Sequence, residues 1–151
     1  MTTKFFASLS IGLIISGIVF GPFRLEVRFG AVNGKISIDE DELDRLPDWK
    51  AESDEPALSI GQARKIATAW LNGSLVDKRF IEHIRLSRQC VYEIKQIAIL
   101  PLLENDWYYK VMFEETPMPG FSWSGGEAHT VEVVVDMNGT VRIPQDLLPR
   151  P

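Results

Sequence analysis

One cysteine, Cys90, is all the thiol chemistry in this chain of 151 residues. A lone cysteine excludes an intrachain disulfide and a CxxC metal knuckle, and Cys90 reads as a small, buried, inert hydrophobe. Histidine is nearly as scarce, with His83 and His129 the only two. No H-E-x-x-H pair is present for zinc, and no Ser-His-Asp order can be recognised. The nucleophile elbow G-x-S-x-G is missed twice: Ser122 lacks the closing glycine, and Ser124 lacks the opening one. Positive charge is also short. Sixteen Lys and Arg face 21 Asp and Glu, for a net charge of −5 and a pI near 5.1, so no basic face offers itself to duplex nucleic acid. These absences lead to an expectation of no catalytic residue, no cofactor, no metal site and no nucleic-acid partner.

What is present is a composition able to build one globular domain, 45% hydrophobic and 25% charged. The first residues stand apart. Phe5 to Phe23 is a run of 19 residues without a charge, which as a helix reaches roughly 28 Å, near the thickness of a bilayer core. Two membrane readings compete here. A cleaved signal peptide needs small residues at −3 and −1, but no A-x-A is present and Pro22 would follow a cut after Gly21. An uncleaved signal anchor is therefore favoured, with the C-terminal bulk outside the cytoplasm; a secreted or periplasmic product after cleavage is the alternative.

Residues 24–38 alternate weakly and carry a turn signal at Asn33-Gly34, as expected of a small hairpin or juxtamembrane extension. Between Asp39 and Glu55 nine acids face two bases. The D-x-D opening fails as an EF-hand, because Asp44 and Lys50 stand where glycine and glutamate are required. A solvated linker is the expectation, with Leu43, Leu46 and Trp49 at a spacing that could pin a short turn. The segment LSIGQARKIATAWLNG then predicts an amphipathic helix. Ser59 and Gln62 form a capping box, Ala63, Ile66, Ala67, Trp70 and Leu71 make one buried stripe, and Gly73 suits a left-handed stop. Phe80, Ile81 and Ile84 share a helical face. YEIKQIAILPL reads as a strand that Pro101 confines to an edge or ends. In WYYKVMFEE, Trp107, Tyr109, Val111 and Phe113 face one way, and Tyr108, Lys110, Met112 and Glu114 the other. The loop 116–127, with Phe121 and Trp123, is the candidate partner contact.

The most specific pattern is TVEVVVDMNGTVRIP, and register decides the role of Asp136. A three-residue loop, Met137-Asn138-Gly139, sets Val135 against Val141 and Val133 against Ile143, giving one wholly apolar face. A two-residue loop would place Thr140 and Arg142 opposite the valines. Since a one-residue slip turns every side chain over, the longer loop should win, with Gly139 left-handed. Asp136 is then a structural, turn-flanking residue on the wet face.

Ser59, Ala63, Ile66 and Ala67, then Tyr109 and Val111, then Val133, Val135, Asp136, Gly139 or Thr140, and Val141 resemble a PepSY-type domain over about residues 57–144. The Asn138-Gly139-Thr140 order departs from the Thr-Gly usual before the closing strand of that family, and residues 74–93 form a longer insertion. The resemblance implies an α+β fold and a non-catalytic, exported or membrane-associated module that modulates a peptidase or binds a peptide or protein. The expected organisation is an N-terminal transmembrane or signal helix (1–23), a juxtamembrane segment and acidic linker (24–56), one amphipathic helix packed on a small antiparallel sheet (57–146), and a tail (147–151). A structural subunit of a membrane assembly, held through residues 5–23 with Gly12, Ser16 and Gly17 permitting close helix approach, is the alternative. A hydrolase using Ser122 or Ser124 is the third reading. Intact mass on fractionated cells tests the leader: an anchor leaves a full-length chain in the membrane, and cleavage leaves a soluble species short by about twenty or thirty residues.

Overall fold

The computed structural model describes residues 23–51, 55–87, 89–103, 105–122, 128–144 and 147. In chain order the elements are β1 (Phe23–Phe29), β2 (Val32–Ile38), α1 (Glu40–Asp44), α2 (Ile60–Ser74), α3 (Lys78–Ile84), β3 (Cys90–Leu103), β4 (Asp106–Pro117), β5 (Thr130–Asp136) and β6 (Val141–Arg142). The strands form one antiparallel sheet in the order β2-β1-β5-β4-β3, with β6 also paired to β5.

This corrects the expected fold class. Strand accounts for 43% of the described residues and helix for 25%, so the sheet dominates rather than serving as a small platform for one helix. No helix among the described residues is long and apolar enough to cross a membrane. The expected transmembrane helix falls on residues that lie outside the described ones, apart from Phe23, which opens β1 instead of closing a span.

The segment expected as a small hairpin or juxtamembrane extension is a hairpin, and it joins the sheet because its alternation is sound. Leu25, Val27 and Phe29 point into the core, as do Ile36 and Ile38, while Arg24, Glu26, Arg28 and Lys35 point out. The turn lies at Gly30-Ala31, since Phe29 pairs with Val32. Asn33-Gly34, the expected turn, is inside β2, where the missing side chain leaves room for Pro144: a Cβ on Gly34 would sit 2.4 Å from its Cγ. The hairpin tip is clamped by two backbone bonds. Gly30 N–H donates to the Thr130 carbonyl at 2.8 Å, and Ala31 N–H to the Ile84 carbonyl at 3.1 Å.

The acidic stretch is a strap rather than a free linker over its described part. Asp39 and Glu42 make a reciprocal capping box on α1. Asn138 Nδ2 donates to the Arg45 carbonyl, Trp49 N–H to the Asn105 carbonyl, and Trp107 Nε1 to the Trp49 carbonyl. Trp49 and Trp107 meet edge to face at 5.0 Å. These contacts carry the chain past one end of the sheet to Leu58, whose carbonyl accepts from Tyr109 Oη at 2.7 Å.

Helix α2 bears out the sequence reading at its start and along its stripe. The Ser59–Gln62 box forms, and Ala63, Ala67 and Leu71 are buried. Its end differs: the helix runs through Gly73 to Ser74, and Leu75 caps it. Helix α3 buries Phe80, Ile81 and Ile84, and ends with Arg85 in the left-handed region. His83 is exposed.

Strand β3 is an edge, which is where Pro101 can be tolerated. Its apolar residues change phase between Ile94 and Ile97, and a bulge between Ile94 and Gln96 absorbs the change. Ile94 pairs with Phe113 and Ile97 with Val111, so both lie on the face of the sheet that carries the helices. Cys90 is half-buried at the start of β3, not the fully buried thiol expected.

Gly30→Ala tests the clamp. Gly30 has φ of +59°, and a Cβ there would stand 2.1 Å from the Ile84 carbonyl oxygen. The variant is expected to lose about 2 kcal/mol or more in urea unfolding.

Candidate functional site

Three groupings of side chains could carry function, and each is positioned by the sheet. The first is the hairpin at Asp136. The expected register holds: Val134 pairs with Arg142 and Val135 with Val141, and Gly139 has φ of +81°. Asp136 N–H donates to the Thr140 carbonyl at 3.0 Å, closing the loop. Asp136 is structural as expected, but it is not on a wet face, being only 1% exposed. Its Oδ1 accepts from the amides of Asn138 (2.9 Å) and Thr140 (3.0 Å), and its Oδ2 from Arg142 Nε at 2.9 Å. Arg142 in turn donates to Glu42 of α1. The strap is what buries the pair, and nothing in the local alternation could announce it.

The second grouping was missed by sequence reasoning. Glu115 continues the inward phase of Trp107, Tyr109, Val111 and Phe113, and that phase is the signal that could have found it. It is 4% exposed. Its Oε1 accepts from the His129 amide at 2.9 Å and lies 3.4 Å from His129 Nδ1. Its Oε2 is 3.3 Å from Tyr92 Oη, which also contacts the Ser87 amide and carbonyl. Burial first, and then the Glu115 carboxylate, push the Tyr92 phenol well above its ordinary range. A histidine beside a carboxylate is raw material for acid–base catalysis. Here both carboxylate oxygens are already occupied in joining β3, β4, the entry to β5 and the turn after α3, so the cluster works as a clasp.

The third is a cleft of about 370 Å³ lined by Ala69, Trp70, Gly73, Ser74, Asp77, Phe80 and Ile143. Trp70 is half-buried and belongs to the core on one side, meeting Phe29 edge to face at 6.1 Å and Phe80 at 5.9 Å. Its remaining surface, with Phe80 and Ile143, makes the apolar part of the lining. Val76, which precedes Asp77 in the chain, is 82% exposed. Asp77 caps α3 through the Arg79 amide and pairs with the Arg79 side chain at 3.4 Å. Its carboxyl is held below the usual range, chiefly by the hydrogen bond from Arg79.

Of the two expected partner-contact residues, Phe121 is 50% exposed beyond β4, its N–H bonded to the Met118 carbonyl. Trp123 lies outside the described residues, as does Ser124; Ser122 is exposed. Among the described residues no three of His, Cys, Asp and Glu converge as metal ligands would. Comparison with protein-family models, curated proteins and solved structures finds no match to this chain.

Three measurements follow from these environments. Asp136→Ala should lose about 2–3 kcal/mol, since it removes the acceptor of the Asn138 and Thr140 amides and one partner of Arg142, which stays paired with Glu42, whereas Asp136→Asn, which can keep the Oδ1 contacts, should lose less. Glu42 is held below its ordinary value of 4.5, first by the Asp39 amide, against some desolvation, and then by Arg142. Its contribution to stability is therefore present above about pH 4.5 and lost as pH falls through its lowered value. Denaturation midpoints between pH 6 and 3 should fall less steeply in Glu42→Gln. At the other extreme, Tyr92, Tyr108 and Tyr109 are all raised above 10.0, in each case first by burial. The folded chain then keeps protons that the unfolded chain releases, so stability should drop as pH rises from about 10.

Proposed function

We propose that this chain is a non-catalytic binding module that receives a side chain of a peptide or protein partner in the Trp70–Phe80 cleft. The observation that carries the reading is the cleft itself. It is lined by Trp70, Phe80 and Ile143 and open to solvent. Concave apolar sites with few polar groups are the usual form of a binding pocket, and aromatic anchors dominate interface energetics. The two buried carboxylates beside other titratable or charged groups, Asp136 and Glu115, support the same reading, because their oxygens are engaged in joining elements of the fold. The PepSY-type resemblance implies the same class of role. Placement outside the cytoplasm is part of the proposal and rests on the composition of residues 1–22.

Gly73 supplies a clean test. It is helical, and a Cβ there would meet nothing within 4 Å. Gly73→Leu should fill the cleft while leaving the helix as stable or about 0.5–1 kcal/mol more so. Peptides selected from a random display library against the full chain should lose tenfold or more in affinity for Gly73→Leu and be indifferent to Phe121→Ser. Selection of no peptide, or of peptides insensitive to Gly73→Leu, would overturn the reading. Peptides sensitive to Phe121→Ser alone would move the site to the loop after β4.

A further inference from the structure

We infer that the Trp70–Phe80 cleft selects a cationic side chain, a lysine or arginine of the partner, rather than a purely apolar one. The inference rests on the proposed binding role and adds the chemistry of the occupant. Three independent features of the cleft favour positive charge. The first is its ionisable lining, which among the described residues consists of one group, the carboxylate of Asp77, with no basic residue. Helix α2 is the second. Its 15 residues end at Gly73 and Ser74 in the wall of the cleft, and its last turn carries no basic residue. The negative end of the helix dipole is therefore uncompensated by its own sequence where the cleft begins. The third is aromatic: the half-buried Trp70 lines the cleft, and an indole ring is the best aromatic partner of a cation.

The size and lining suit such a group. A lysine or arginine places its methylene stem along apolar surface and keeps its charged head at a polar rim. Here the stem would lie against Trp70 and Ile143, and the head would reach Asp77 and Ser74. Arg79 already contacts both oxygens of Asp77, through Nε and Nη2, but each across 3.4 Å and with 67% of its side chain exposed. A surface pair of this kind is weak, so an incoming cation can share the carboxylate or displace the arginine. Lys78, next to Asp77 in the chain, is exposed at the start of α3. The net charge of −5 adds a long-range preference in the same direction.

The experiment compares two capped pentapeptides, identical except for a central lysine or its uncharged isostere norleucine. Each is titrated against the full-length chain by two-dimensional amide NMR. The lysine peptide should bind at least about fivefold more tightly at low salt and shift the resonances of Ala69–Asp77 and the Trp70 indole. That advantage should vanish in Asp77→Asn, which retains an N-cap side chain for α3, and should shrink at high salt. An unchanged melting temperature for Asp77→Asn shows that the fold survives. Equal binding of the two peptides at the cleft overturns the cation preference and leaves the binding role standing. An absence of shifts with either peptide at millimolar concentration counts against both. A lysine advantage that survives in Asp77→Asn overturns the assignment of the carboxylate.

Discussion

Strand β5 holds this structure together because both of its edges are taken. Strand β4 runs along one edge from Tyr108 to Glu114, while β1 and β6 divide the other: Phe29 pairs with Val131, and Val141 and Arg142 with Val135 and Val134. That division works in one register only. The loop Met137-Asn138-Gly139 brings Arg142 back beside Asp136, and the same carboxylate binds the Asn138 and Thr140 amides. A slip of one residue would turn Val131, Val133 and Val135 away from α2 and detach those bonds together. The packing of α2 onto the hairpin repeats the constraint, because Ile66 lies where a Cβ on Gly139 would come within 3.3 Å.

Two of the three buried carboxylates among the described residues, Asp136 and Glu115, lie toward opposite ends of the sheet and solve similar problems. Asp136 joins the β5–β6 turn to Arg142 and, through it, to the strap at Glu42. Glu115 joins β4 to His129 and Tyr92 at the opposite end. Each is buried with its oxygens bonded, which is the condition under which a carboxylate is tolerated in a core. The apolar layer between them includes Phe29, Trp70 and Phe80 in an edge-to-face series. The cleft opens where that series reaches the surface at the junction of α2 and α3. Function in this reading lies at a seam between elements, not in a motif.

Legibility in the sequence followed the range of the interactions involved. The β5–β6 register was readable because period-two apolar alternation and a left-handed glycine are both local. The capping box and stripe of α2 were readable for the same reason. Asp136 was placed on a wet face because its neighbours in the strand are all that alternation can see, and the strap that buries it comes from residues 39–49. Asn33-Gly34 has the composition of a turn, but Gly34 is there to admit Pro144 from more than a hundred residues away in the chain. Gly73 looked like a helix stop, yet Leu75 N–H still bonds to the Leu71 carbonyl and carries the helix past it. The change of phase in β3 was visible as Ile94 and Ile97, but only pairing with β4 shows that a bulge reconciles them.

By itself the sequence determined the elements whose stability is local: an amphipathic, capped α2, the alternating strands β4 and β5, and the turn that ends β5. It also bounded the chemistry, through its scarcity of cysteine, histidine and positive charge. Tertiary structure alone decided that residues 23–38 complete the sheet and that the acidic stretch from Asp39 straps it. It likewise decided that Glu115 and Asp136 are buried partners and that Trp70, Phe80 and Asp77 share one cleft. The physical reason is that backbone periodicity and capping are properties of neighbours along the chain. Burial of a charge and the shape of a cleft depend on which distant segments come to lie beside it.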